Sequence, residues 1–342
     1  STTMSRNVVR FTAIALVALF LGLFLLKSCR SDNGGGVPVP KEQPQPAVKV
    51  PLFDGDSAYA FVKKQVDFGP RNPGSAGHVA CGDWMVAFLN QYADTVIEQT
   101  GTVTAFNGQK LPLRNIIASW APEKKERILL VAHWDTRPFA DKDTDRKNEP
   151  ILGANDGGSG VGILLEIARR LKEEAPALGV DIFLTDVEDF GQPSDAMETD
   201  ANSLLSWCLG SQYWAKNPHV PNYTARFGIL LDMCGTASAD FYREQLSMQY
   251  APHVVQKVWA AASALGYGQT FLPETKYFVG IDDHVIINRD MRIPTIDIIG
   301  YDEGTKAFDP SWHTHKDDMS VIDKATLEAV GRTVMHVVYH ER

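Results

Sequence analysis

The chain has 342 residues, 44% hydrophobic and 22% charged, with 33 basic against 42 acidic residues for a net charge of −9. This is the composition of a folded globular protein and excludes disordered and fibrous classes. The acidic balance provides no basic stripe for phosphates, which argues against a nucleic-acid partner, and four cysteines in this length exclude a disulfide scaffold.

At the N-terminus, Arg6 and Arg10 precede an apolar run from Phe11 to Leu26. The run is shorter than the roughly 20 residues of a comfortable membrane span and has the basic and apolar regions of an export signal. Ser28-Cys29 resembles a bacterial lipoprotein cleavage site, although Lys27 is foreign to that motif, so an uncleaved signal anchor is the alternative. Residues 30–51 are rich in Gly and Pro and read as a flexible tether. Residues 1–29 carry Arg6, Arg10 and Lys27 and no acid, which leaves 30 basic and 42 acidic residues, a net −12, for the rest. The expected arrangement is an acidic folded domain over residues 52–342. It would lie on the periplasmic side of a bacterial membrane, held by lipid at Cys29 or by the uncleaved helix, with no other membrane contact. Cys81, Cys208 and Cys234 sit among apolar neighbours and read as buried free thiols.

In chain order, the patterns predict a helix over Ser75–Tyr92, strands over Asn115–Trp120 and Arg127–Ala132, and a helix over Gly157–Glu174. Val161, Leu164, Leu165, Ala168 and Leu171 recur at helical spacing in the last of these. Strands follow over Val180–Thr185 and Phe227–Met233, a helix over Tyr250–Leu265, a strand over Ile293–Ile299 and a helix over Ala325–Tyr339. Ser320 with Asp323 resembles a capping box before the last helix. The strands are continuous apolar runs, as in strands covered on both faces. The expectation is one domain, a three-layer α/β/α sandwich with a central mixed, mostly parallel sheet.

Such sheets bind ligands outside the carboxyl ends of their strands. Here each exit carries an acid, a histidine or both: His133-Trp134-Asp135, then the helix-leading loop with Asp156, then Asp186-Val187-Glu188-Asp189, Asp232, Asp282-Asp283-His284 and Trp312-His313. Singly, each has an ordinary structural explanation, such as a turn or a helix cap for Asp156. Together, carboxylates converging on one cleft repel one another unless a cation is bound, and oxygen ligands with imidazole suit Zn²⁺.

At these segments — HWDT, GANDGGSGVG, DVEDFG, LLDMCG, DDH and SWHTHKDD — the sequence resembles the zinc peptidase family that holds bacterial aminopeptidases and glutaminyl cyclases. For a di-zinc aminopeptidase the resemblance implies His133, Asp232, Asp189, His313 and a bridging Asp156. Asp282 before Asp283-His284, Trp312 before His313 and Phe308 nearby resemble cyclases instead. The chain departs from the animal cyclases at Asp189, at Asp297 and in lacking their cysteine pair.

The cyclase reading implies a single zinc on Asp156, Asp189 and His313, against two in an aminopeptidase. Glu188 would be the proton carrier, with Asp232 and Asp282 hydrogen-bonding each other or a catalytic carboxylate. Trp312 and Phe308 would wall the pocket, with Trp134 or Trp207 closing over it. The expected substrates are peptides or proteins with N-terminal glutamine, converted to pyroglutamate with release of ammonia by a monomer. A non-catalytic peptide-binding domain is the alternative of another class.

Overall fold

In β3 (Arg127–His133) every residue is buried. Ile128, Leu130 and Ala132 join one apolar cluster, whereas Leu129 and Val131 join another. Successive side chains of a strand point to opposite faces, so both faces of the sheet are covered. The computed structural model describes residues 46–193 and 201–342. The apolar run expected to act as an export signal, Cys29 and nearly all of the segment expected to act as a tether lie outside them.

The six-stranded sheet has the order β1-β2-β4-β3-β5-β8. β1 (Thr95–Thr104) and β2 (Lys110–Trp120) form an antiparallel edge that pairs with β4 (Gly179–Thr185). β4, β3, β5 (Phe227–Asp232) and β8 (Thr295–Ile299) run parallel. β6 (Phe241–Arg243) and β7 (Phe271–Thr275) make a separate parallel pair.

One face is covered by α1 (Gly55–Asp67), α2 (Ala76–Tyr92), α3 (Gly158–Glu173), α5 (Pro252–Ala264) and α6 (Lys324–His340). Val62, Met85, Leu164, Val258 and Val334 from these helices meet Ile182, Ile229 and Leu231 of the sheet in one cluster. Each fully buried aliphatic side chain contributes about 1.5–3 kcal/mol before entropy is charged. On the other face Trp214 of α4 (Leu209–Lys216) and Ile287 pack on Val131, Phe183 and Leu230. The architecture is the expected α/β/α sandwich.

Differences from the sequence reading are local. The last helix is capped by Asp323 alone, whose side chain accepts from the Thr326 N–H at 2.9 Å. Ser320 instead donates to Asp318. β8 starts at Thr295, after Pro294, which has no N–H to give the ladder. α1 and β1 were not predicted. β1 (TVIEQTGTVT) is an edge strand that alternates between exposed and half-buried positions without a buried apolar run.

Among the described residues no helix is long and apolar enough to cross a membrane.

Candidate functional site

The carboxyl ends of β3, β4 and β5 deliver His133, the Asp186–Asp189 turn and Asp232 to one cleft. Val187 in that turn has φ 51, a left-handed conformation that is unusual for a β-branched residue. The turn is held from below by Asp135, whose two carboxylate oxygens accept the Glu188 and Asp189 N–H groups at 3.0 Å each. A second buried carboxylate works the same way. Asp317 accepts the Asn155 N–H at 2.7 Å and the Asp156 N–H at 3.0 Å. Burial and the nearby Asp156 charge push the Asp317 carboxyl up to about 7. Asp156 precedes α3, but it is not the helix cap. That position is Gly157, at φ 96, and no side chain caps there.

Asp156, Asp189 and His313 place ligand atoms within 4.8 Å of one another. His313 Nε2 lies 3.3 Å from Asp156 Oδ2 and 3.0 Å from Asp189 Oδ1. Its Nδ1 faces Asp141 at 3.3 Å, a carboxylate–histidine arrangement that fixes the ring of a metal ligand. Asp141 is gripped in turn by Arg137, which also donates to the carbonyls of Asp189 and Gly191. A second trio shares Asp156: His133, Asp156 and Asp232 also lie within 4.8 Å of one another. His133 Nε2 is 3.1 Å from Asp156 and 3.4 Å from Asp232.

The residues fit a cation. Asp156 Oδ2, Asp189 Oδ2 and Asp232 Oδ1 are buried with no hydrogen-bond partner, a costly state for a carboxylate. Without an ion, burial and then the Asp156 charge push the Asp189 carboxyl up to about 7. Burial works against the imidazolium of His313, but the surrounding carboxylates outweigh it and raise that ring well above its usual value. A divalent cation relieves both effects with ligand types that suit zinc.

Glu188 is 8% exposed and stands between the trios. Its Oε2 is 3.8 Å from His133, and its Oε1 accepts from the Cys208 thiol at 3.6 Å. Burial, then the charges of Asp189, Asp282 and Asp283, raise Glu188 far above the usual carboxylate range, with His133 opposing. Glu188, Cys208 and Asp282 form another close group.

Asp282 also closes on the residues behind it: Asp282, His284 and Asp297 bring ligand atoms within 4.8 Å of one another. Behind Asp297 lies His284, 3.6 Å away, and His284 is 2.8 Å from Glu244. Burial first, and then neighbouring carboxylates, raise both Asp282 and Asp297 well above the usual carboxylate range.

A cavity of about 330 Å³ opens over these groups, and Trp207, Phe308 and Trp312 line it. Trp312 stacks on His313 at 3.9 Å between ring centres, and Trp207 lies at 6.1 Å with a 14° tilt. Trp134 is not part of the pocket. It is fully buried, stacked on His78 at 4.3 Å, with its indole N–H donating to the Arg114 carbonyl. The strand alternation that turns His133 into the cleft turns Trp134 away from it.

Asp135, Asp141, Arg137, Cys208 and Asp317 were not singled out as site residues in the sequence. The acids follow site histidines by two or four residues, or precede His313 in the fold by way of a distant loop. Only the first relation carries a readable signal.

The family described as Peptidase family M28 matches residues 115–338. A crystal structure of Bacteroides thetaiotaomicron glutaminyl cyclase bound to N-acetylhistamine is 52% identical, covers 86% of this chain and all of its own, and has a TM-score of 0.83. A structure of a leucine aminopeptidase precursor from the same organism is 51% identical with the same coverage and a TM-score of 0.82. The glutaminyl-peptide cyclotransferase of Dictyostelium discoideum is 26% identical over 61% of this chain and 59% of its own length. The chain spans about half the length of the curated relatives it matches.

Proposed function

The chain belongs to peptidase family M28, and within it we propose a zinc-dependent glutaminyl-peptide cyclotransferase that converts N-terminal glutamine of peptides or proteins to pyroglutamate. The observation that carries this reading is the close Glu188–Cys208–Asp282 group, with Asp297 packed against Asp282 behind it. Cyclisation needs a group that takes a proton from the α-amine and returns it to the departing amide nitrogen. A second buried carboxyl next to Glu188 suits that shuttle. Likeness to the Bacteroides cyclase supports the same reading.

Asp156, Asp189 and His313 would hold the zinc, which when bound supplies a Lewis acid for the substrate γ-carbonyl. Glu188 receives the α-amine proton as the nitrogen closes on the δ-carbon, the carbonyl carbon of the side-chain amide. The carbon–nitrogen bond of the side-chain amide then breaks, and Glu188 hands its proton to the leaving ammonia. Asp282 keeps Glu188 supplied and oriented. Trp207, Phe308 and Trp312 wall the glutamine side chain and exclude water, so the intramolecular attack proceeds from one fixed conformer.

A di-zinc aminopeptidase is the second reading, favoured by the His133–Asp156–Asp232 trio and by the aminopeptidase precursor. Incubation with a Gln-peptide and a Leu-peptide separates the two. Ammonia from the first supports the cyclase, whereas free leucine from the second supports the peptidase.

We also infer an exported, monomeric catalytic domain over residues 52–342. It would be tethered through residues 30–51 to lipid at Cys29 or to an uncleaved helix, on the periplasmic side of a bacterial membrane. The basic residues and apolar run of the N-terminus support this. Palmitate labelling of the wild type and of Cys29→Ala checks it, with label expected only in the former.

A further inference from the structure

The last helix carries two histidines one turn apart. In α6 the run His336-Val337-Val338-Tyr339-His340 puts both imidazoles on one face, because residues four apart on a helix are neighbours. Val337, Val338 and Tyr339 are buried, whereas His336 is half-buried and His340 exposed, so the pair lies where the core meets solvent. The two rings stack with centres 3.9 Å apart and planes 18° from parallel. Two nitrogens bonded to one zinc ion at about 2.0–2.1 Å each stand no more than about 4 Å apart, so the rings already have the separation a shared ion needs. The same spacing of two helical histidines holds zinc in metalloproteases.

The ring nitrogens point the same way. His340 Nδ1 lies 2.7 Å from the His336 carbonyl. A carbonyl oxygen only accepts, so Nδ1 carries the proton and Nε2 keeps its lone pair. A carbonyl on one ring nitrogen is how a metal-bound histidine is held. His336 Nδ1 is buried and has no hydrogen-bond partner. A cavity of about 400 Å³ opens beside the rings, lined by Val337 of α6 and by Ala260 and Ala261 of α5. Lys257 and Glu341 also face it, and Glu341 holds the Lys257 ammonium, which lies over the Phe227 ring at 5.1 Å. The closing turn of a helix, with its unpaired carbonyls, favours a cation.

This place is separate from the cleft. At the other end of α6 the Asp323 N–H donates to the Gly235 carbonyl, and the Gly235 N–H donates to Asn155, next to Asp156. At 1.5 Å per residue, His336 and His340 lie about 20–25 Å further along the helix axis.

We propose that His336 and His340 form a second metal site, which takes a divalent transition ion of the zinc, nickel or copper class and clamps the last turn of α6. The ion draws one nitrogen from each ring, and water completes its coordination. Imidazole suits these ions, whereas magnesium and calcium take oxygen ligands and are refused. The site holds whichever activity the cleft performs.

The test titrates nickel chloride into untagged, zinc-loaded protein by calorimetry at about pH 7.5, where imidazole is neutral. Wild type, His336→Ala and His340→Ala are compared, and the thermal midpoint of each is measured with and without nickel. Any nickel entering the cleft is common to all three, so the difference isolates the helix pair. The wild type is expected to take up one nickel more per chain than either variant, or to bind it more than about tenfold more tightly. Nickel raises the midpoint of the wild type more than that of either variant, and the extra ion leaves as the pH falls below about 6.5 and the rings protonate. Magnesium chloride produces no such difference. Variants that bind nickel in the same number and as tightly as the wild type overturn the proposal, and so does a wild type that takes up none.

Discussion

Glu188 is held from two sides by one residue. The Cys208 thiol donates to its side chain, and the Cys208 N–H donates to its carbonyl at 3.0 Å. Cys208 itself sits at φ 58, so the chain turns sharply to make both contacts. Replacing the carboxylate by its amide, Glu188→Gln, removes proton transfer without removing a metal ligand. The expected result is a loss of about 10²–10⁴ in kcat for Gln-peptides with zinc content unchanged. A variant that keeps kcat within about threefold would show that another group carries the proton. At Cys208 the thiol donor can be kept or deleted. Cys208→Ser should stay within a few-fold of wild type, whereas Cys208→Ala loses about tenfold in kcat, close to one hydrogen bond to a charged group. Equal losses in both would mean that the sulfur's volume matters and its proton does not.

At the scale of elements, the site depends on how closely α3 sits on the sheet. A Cβ at Gly160 would lie 2.4 Å from the Leu231 carbonyl oxygen and 3.1 Å from the Ala132 Cβ. Both are parts of strands that carry site residues, so neither can yield cheaply. Gly160→Ala should destabilise the fold by roughly 2–3 kcal/mol through overpacking. A thermal midpoint unchanged within a degree would mean that the helix can shift.

Elements were legible where burial is two-sided. β3, β4 and β5 stand out as unbroken apolar runs because both faces are covered, and α3 because one stripe alone is apolar. α1 was missed because its buried face includes Gly55, Ala58 and Gln65 and so shows little apolar periodicity. Site residues were legible where a strand ends, since sheet topology gathers those ends whatever the order in the chain. The residues behind them were not. Asp317 reaches Asn155 and Asp156 from a loop more than a hundred and fifty positions away, a contact no local pattern encodes. Of the two tryptophans offered to close the pocket, Trp207 lines it and Trp134 is fully buried away from it, a difference that composition alone does not encode.

At the scale of the molecule, the cleft concentrates negative charge that the fold alone does not neutralise. Asp156, Glu188, Asp189, Asp232 and Asp282 all line one cavity. A cation bound only by the native state adds stability by mass action, about 4 kcal/mol when its concentration is a thousand times the dissociation constant. Chelator treatment should therefore lower the thermal midpoint by several degrees, and zinc should restore it. An unchanged midpoint would mean that the carboxyls are satisfied by protons alone.

The two trios that share Asp156 divide the family's activities, and the account assigns the ion to one of them. An anomalous difference map collected at the zinc edge from crystals of the native protein locates the metal directly. The account predicts one strong peak between Asp156, Asp189 and His313, within bonding distance of all three. A second peak of equal height between His133 and Asp232, or no peak near His313, would contradict it.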